Sequence, residues 1–252
     1  MQRYFVNEEN WSHKTVEIKG EDFHHIMNVM RMKEGDALIC VHPAKGAAQC
    51  EIDKAIDKET VICKVEQWLK EDIELPAAVT IVQSLGKGDK LEQVVQKGTE
   101  LGADSFIPFQ ADRSVAKWDG KKAVKKIQRL SKIAKEASEQ SERSKIPEIH
   151  PLMDIEKVIE YASSFDIKLF AFEEEARSSR KIPLKQRLDE ISPGSSIIII
   201  FGPEGGFSVN EADVLKSTGF LPVRLGPRIL RMETASLYFL SAVSYHLEES
   251  SE

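Results

Sequence analysis

The chain has 252 residues, 41% of them hydrophobic, and a net charge of −6, enough for a sizeable core in one or two domains. No apolar run nears the roughly 18 residues of a membrane span. The start, Met1-Gln2-Arg3-Tyr4-Phe5, has no signal-peptide core, and Cys40, Cys50 and Cys63 lack metal-ligand spacing. The expectation is a cytoplasmic protein with buried free thiols, no membrane contact and no metal. Overall acidity argues against a nucleic-acid binder. Yet eleven Lys/Arg stand against four Asp/Glu between Arg113 and Lys145, which predicts a basic face for a polyanion on an otherwise acidic protein.

Residues 1–72 read as a small β-rich domain. Strands are expected over 2–6, 15–18, 37–41, 48–52 and 61–68, several with period-two alternation. One helix interrupts them, capped by Asp22, with Phe23, Ile26, Met27 and Met30 on one face. So many short strands favour a small barrel. From residue 73 the rhythm becomes strand, helix, strand. A strand over 78–85 leads through Gly86-Lys87-Gly88-Asp89-Lys90 into a helix that Asp89 and Glu92 would cap and Gly102 would end. Gly98 inside it is a poor helix former. A strand over 105–109 follows. Then Ala123, Ile127, Leu130, Ala134 and Ala137 define a long amphipathic helix over 121–143 with Lys122, Lys125, Lys126, Arg129 and Lys132 outward. A helix over 155–162 and a strand over 167–172 precede the most informative stretch.

That stretch opens with Ser196-Ile197-Ile198-Ile199-Ile200-Phe201, a strand buried on both faces. Gly202-Pro203-Glu204-Gly205-Gly206 stops it. Ser208 with Glu211 forms a capping box for a helix to about Lys216. A short strand over 221–225 leads into Gly226-Pro227-Arg228-Ile229-Leu230-Arg231 and a last helix over 234–247, with an acidic, frayed tail. The alternation predicts a parallel sheet with helices on both faces, whose ligands bind beyond the carboxyl ends of the strands. Lys87 and Lys90, Arg113, Glu173-Glu174-Glu175 and the two Gly loops all follow strands and gather on that edge.

The first Gly loop is no P-loop, because no Gly-Lys-Ser/Thr ends it, and Gly-x-Gly-x-x-Gly is absent. Alone it would read as a tight strand-to-helix turn. The lysine run would read as a solvated face, but its first turns are almost purely basic, which favours RNA, with Arg3 and Arg31 as candidate additions. His24 and His25 point roughly 100° apart on a helix and make no metal pair. Arg231 and Glu233 are either a structural ion pair or part of a site.

Gly202-Pro203-Glu204-Gly205-Gly206-Phe207-Ser208, with Leu225-Gly226-Pro227-Arg228-Ile229-Leu230-Arg231-Met232-Glu233-Thr234-Ala235, closely resembles the SPOUT class of RNA methyltransferases. More narrowly, the chain is similar to the ribosomal RNA small subunit methyltransferase E family. Lys90-Leu91-Glu92, Thr99-Glu100-Leu101-Gly102, Arg113-Ser114-Val115 and the stretch from Glu136 to Arg143 fit as well. The resemblance implies a PUA-like RNA-binding barrel over 1–72. It also implies a SPOUT methyltransferase domain over 73–252, a parallel sheet whose C-terminal segment threads a trefoil knot. It implies a homodimer that binds S-adenosylmethionine and methylates N3 of a uridine in 16S rRNA of the small ribosomal subunit. The cofactor would be held by Phe170, Gly202, Pro203, Glu204, Gly205, Leu225, Gly226, Ile229, Leu230 and Arg231. Arg231 is the candidate for stabilising charge on the base; Glu204 or Glu139 is the candidate proton acceptor. RNA contacts are expected from Arg3, Arg31, Lys87, Arg113, Lys122, Lys125, Lys126, Arg129 and Arg143. A non-catalytic RNA-binding factor and a ribose 2′-O-methyltransferase are the alternatives, separated by cofactor binding and by the modified nucleoside.

Overall fold

The computed structural model describes residues 1–172 and 183–250; Glu173, Glu174 and Glu175, expected at the sheet edge, lie outside them. The chain divides into two compact units, Met1–Glu74 with Ser138–Ile146, and Leu75–Ala137 with Pro147–Glu252. The first unit is thus discontinuous, and a single cut after residue 72 misses the segment 138–146.

In the first unit, β1 (Arg3–Phe5), β2 (Thr15–Lys19), β3 (Ala37–His42), β4 (Gly46–Ala55) and β5 (Thr60–Trp68) form one sheet in the order β1-β3-β4-β5-β2. Only β1 and β3 pair in parallel. Alternate residues point inward, so Leu38, Cys40, Cys50, Ile52, Val61 and Cys63 fill the core. All three cysteines are free and buried. Helix α1 (Gly20–His24), extended by a π turn over His25–Val29, adds Phe23 and Ile26. Asp22 does not cap it. Gly20, at φ +66°, turns the chain from β2 straight into the helix, which begins before Asp22.

Two arginines expected to meet RNA are used inside this unit instead. Arg3 is 3% exposed and donates to Glu71 at 2.6 and 2.9 Å and to the Arg143 carbonyl at 3.1 Å. Arg143, equally buried, donates to Glu74, whose carboxylate also accepts from the Ser144 N–H at 2.9 Å. A guanidinium taken out of water needs such partners, and neither is left facing outward. Arg31, at φ +54°, is exposed.

The second unit is built on six strands, every pair of them parallel: β6 (Ala78–Ser84), β7 (Ser105–Phe109), β8 (Glu148–Ile149), β9 (Ile167–Ala171), β10 (Ser196–Phe201) and β11 (Leu221–Val223). Their order is β11-β9-β10-β6-β7-β8. The isoleucines of β10 are buried on both faces. Ile197 and Ile199 meet α2 (Lys90–Glu100), α3 (Gly120–Gln140) and the last helix, α7 (Met232–Ser244). Ile198 and Ile200 meet α4 (Ile155–Tyr161) and α6 (Val209–Ser217). A five-residue α5 (Leu184–Leu188) and the two-residue β8 escaped the sequence reading because neither is long enough to show a period. Gly98 has a tertiary reason: a Cβ there would lie 2.8 Å from the Phe106 ring, so glycine lets α2 sit close on β7. The expected capping box at α2 is not made. The Asp89 side chain accepts from Gln93 Nε2, and Glu92 reaches to Lys126 and Arg129 on α3.

Candidate active site

At the carboxyl ends of β9, β10 and β11 a cavity of about 550 Å³ opens between the 202–206 and 225–231 loops, the edge where parallel sheets bind ligands. The first loop is fixed from behind. Ser208 caps α6 by accepting from Glu211 N–H at 3.1 Å, and Glu211 accepts from Ser208 N–H at 2.7 Å and from Asp112 N–H at 2.9 Å. Arg113 then donates to the Gly205 carbonyl at 3.0 Å. The second loop is braced the same way, Arg224 donating to the Gly226 carbonyl at 2.9 Å. Gly226 sits at φ +80°, a turn that an L side chain resists. At Gly202 a Cβ would press on the Phe207 ring at 3.1 Å, so the loop folds down onto that ring.

Charges line the rim. Lys90, at the start of α2, donates to Glu204 at 2.7 Å and lies 3.8 Å from Glu233. That hydrogen bond holds the Lys90 ammonium above its ordinary value and the Glu204 carboxyl below its own. Arg231 stands at the N-cap of α7, exposed and lining the cavity. Apolar surface comes from Phe172, Leu225, Leu230 and Ile229, the last 69% exposed. Met232 also lines the cavity.

Of the expected cofactor residues, Gly202, Pro203, Glu204, Gly205, Leu225, Gly226, Ile229, Leu230 and Arg231 line this one cavity. Phe170 does not. It is fully buried behind the wall, packed against Phe172 and Phe207, which themselves line the cavity. It supports the floor, while its neighbours Ala171 and Phe172 face the cavity. Of the two alternative proton acceptors, Glu204 lines this cavity, and Glu139 belongs to the first unit. Glu204 itself is a weakened acceptor, because its proton affinity is lowered by Lys90. Arg113 faces the cavity and braces its loop. On α3, Lys126 and Arg129 share Glu92 at 3.3 and 2.7 Å, whereas Lys122 and Lys125 are exposed. Arg224 and Phe172 carry no sequence signal of a site role; Lys90, expected on this edge but given no role there, lines the cavity.

Residues 73–244 match the family model described as RNA methyltransferase domain, and residues 18–66 that described as RNA methyltransferase PUA domain. The chain is 45% identical to the ribosomal RNA small subunit methyltransferase E of Bacillus subtilis, covering 98% of each. It is 30% identical to that of Mycobacterium bovis, covering 90% of this chain and 84% of the relative. Among solved structures it is similar to a ribosomal RNA small subunit methyltransferase E from Neisseria gonorrhoeae bound to S-adenosyl methionine, with a TM-score of 0.84, 26% identity and 98% of each chain covered. A PUA-like domain joined to a parallel-sheet methyltransferase domain defines an RNA methyltransferase. The chain belongs to the ribosomal RNA small subunit methyltransferase E family.

Proposed function

We propose that the protein transfers a methyl group from S-adenosylmethionine to N3 of one uridine in 16S rRNA, in the cytoplasm and on the assembled small subunit. We further propose that it works as a homodimer with a knotted C-terminal segment. The observation that carries this reading is the convergence of two braced glycine loops and two cations, Lys90 and Arg231, on one cavity. The residues fit the cofactor. Gly202, Gly205 and Gly226 admit a close backbone approach, Leu225, Ile229, Leu230 and Phe172 suit the adenine, and Glu204 suits the ammonium of the amino-acid end. Bound there, the cofactor supplies an electrophilic methyl group on a sulfonium.

The chain's own part is alignment and charge. Displacement at carbon requires two reactants in line and no Lewis acid, so no metal is assigned. Uracil N3 gains a usable lone pair only when its proton passes to an acceptor, Glu204 or water, and the negative charge then spreads over the ring oxygens. Arg231 and Lys90 stabilise that charge. On the second unit Lys122 and Lys125 are exposed for phosphate contact, with Lys87, Lys126 and Arg129 as further candidates; on the first unit Arg31 is exposed. Dimerisation is supported by α7, where Tyr238 is 41% exposed and Tyr245, just beyond, 65%; sedimentation at micromolar concentration should show a dimer, and a monomer would contradict it.

The decisive experiment is nucleoside mass spectrometry of 16S rRNA from a deletion strain, before and after complementation. N3-methyluridine should vanish and return. Its persistence, or label on a ribose, sinks the reading. Arg231→Ala should lower turnover far more than RNA binding.

A further inference from the structure

Next to the active site lies a second cavity, of about 350 Å³, whose lysines are among the phosphate contacts proposed above but whose enclosed space has been given no occupant. It is lined by Trp118, Leu91, Glu92, Lys87, Lys122 and Lys126, and shares no lining residue with the first. The two are separated by one turn of chain. A Cβ on Gly86, in the wall of the second cavity, would lie 2.8 Å from Met232 Sδ and 3.3 Å from Lys90 Cδ, both in the wall of the first. Glycine at 86 therefore keeps the partition to the thickness of a backbone.

The composition of this cavity is unlike that of a packing defect. Three lysines meet one carboxylate, and Glu92 is already shared between Lys126 and Arg129. Net positive charge remains. Lys122 is placed by the first turn of α3, where Asp119 Oδ1 accepts from its N–H at 2.8 Å. Trp118 is half-buried, packed against the main core of the unit while lining the cavity. An indole anchored this way gives a rigid π surface with cations around it, and the volume is that of a small-ligand pocket. A flat heteroaromatic ring carrying a phosphate matches both features; an aliphatic or zwitterionic ligand matches neither.

We infer that this cavity is a nucleotide subsite that takes one unpaired nucleotide adjacent to the methylated one, its base against Trp118 and its phosphate among Lys87, Lys122 and Lys126. The inference rests on the RNA-methylation reading above. Base–aromatic stacking is tolerant of base identity and needs only an unpaired strand. Holding a neighbour fixes the register of the target, so binding energy away from the reacting atom places it.

The test uses Trp118→Leu, which keeps apolar volume but removes the π face, Trp118→Phe, which restores one, and Lys122→Glu. With small ribosomal subunits and labelled S-adenosylmethionine, Trp118→Leu should raise KM for the subunit about 5- to 100-fold, the loss expected of one stacked base. Trp118→Phe should recover most of it. Cofactor affinity by calorimetry should stay unchanged in the Leu variant, which also reports intact folding. Lys122→Glu should raise KM and flatten the log–log salt slope of binding by at least about 0.7. A wild-type KM in Trp118→Leu, or an unaltered slope in Lys122→Glu, overturns the inference. A separate arm keeps it apart from the reaction itself. In a Trp11→Phe/Trp68→Phe background, where Trp118 is the remaining tryptophan, a short uridine-containing oligonucleotide should quench the fluorescence. Should the wild type transfer no methyl group to RNA, the functional reading falls, while this titration still decides the subsite. Absence of quenching, or quenching by polyglutamate but not RNA, overturns it.

Discussion

Glu211 holds the first glycine loop in place, and its removal should show how much of the active site depends on that brace. The carboxylate is 3% exposed and accepts two backbone N–H groups, Ser208 at 2.7 Å and Asp112 at 2.9 Å. In Glu211→Gln one oxygen still accepts, but the amide nitrogen faces the other N–H. One charge-assisted hydrogen bond is lost, about 1.5–3 kcal/mol. In Glu211→Ala both N–H groups lose their acceptor, about 2–6 kcal/mol if each costs the usual 1–3, less where water enters. Asp112 precedes Arg113, the side chain that braces Gly205, so the loss passes to the cavity. Cofactor affinity should fall about tenfold for each 1.4 kcal/mol that reaches the loop. The assay is urea unfolding in the Trp11→Phe/Trp68→Phe background, where Trp118 reports on the second unit alone, with calorimetry of cofactor binding beside it. A Glu211→Gln variant within about 0.5 kcal/mol of its parent would refute the assignment of Glu211 as the brace.

Arg143→Met should destabilise the first unit by about 1.5–3 kcal/mol at pH 7, because the part-buried Glu74 loses its charge-assisted bonds to that guanidinium. Burial pushes the Glu74 carboxyl up, but Arg143 and the Ser144 N–H outweigh it and hold it below its usual 4.5. In the parent this stabilisation is full above the unfolded value and fades as pH falls through the depressed folded one; in the variant only the Ser144 N–H and Lys145 still oppose burial, so the gap should narrow as pH falls through and below 4.5. A gap independent of pH in thermal unfolding would contradict this. Lys90→Met should change stability little, its ion pair with Glu204 being solvated. It should move the acid limb of cofactor binding to higher pH, since Glu204 loses the bond that keeps it ionised; an unmoved limb would exclude Glu204 from the cofactor. Gly226→Ala should weaken cofactor binding about 5- to 30-fold, the equivalent of the 1–2 kcal/mol that a left-handed φ costs an alanine. Unchanged affinity would mean that this turn relaxes freely.

Features whose partners are close in sequence were legible. Ser208 and Glu211 announce their capping box within four residues, and Ile197 to Ile200 announce a strand buried on both faces by composition alone. Features decided across the fold were not. Arg3 and Arg143 read as surface cations because Glu71 and Glu74 lie some 70 positions away. Glu92 reads as a capping partner until α3 brings Lys126 and Arg129 to it. Phe170 reads as a cavity residue because it nears the end of a strand at the site, but Phe172 and Phe207 stand between it and the cavity. Trp118 carries no motif at all, and only folding gives it a cavity.

The segment Ser138–Ile146 has a consequence for biosynthesis. The strands of the first unit are all made by residue 68, yet the carbonyl that receives Arg3 and the guanidinium that receives Glu74 both come from Arg143. At translation speeds of 5–20 residues per second the nascent sheet waits roughly 4–15 s for that residue. Throughout this interval Glu74 lacks its counter-ion and Arg3 lacks one of its acceptors. The N-terminal unit is therefore not a module to be excised or grafted at residue 74. Its final locking is timed by the emergence of a later segment, and a pause between residues 75 and 143 would prolong the window in which holdases and proteases can reach it.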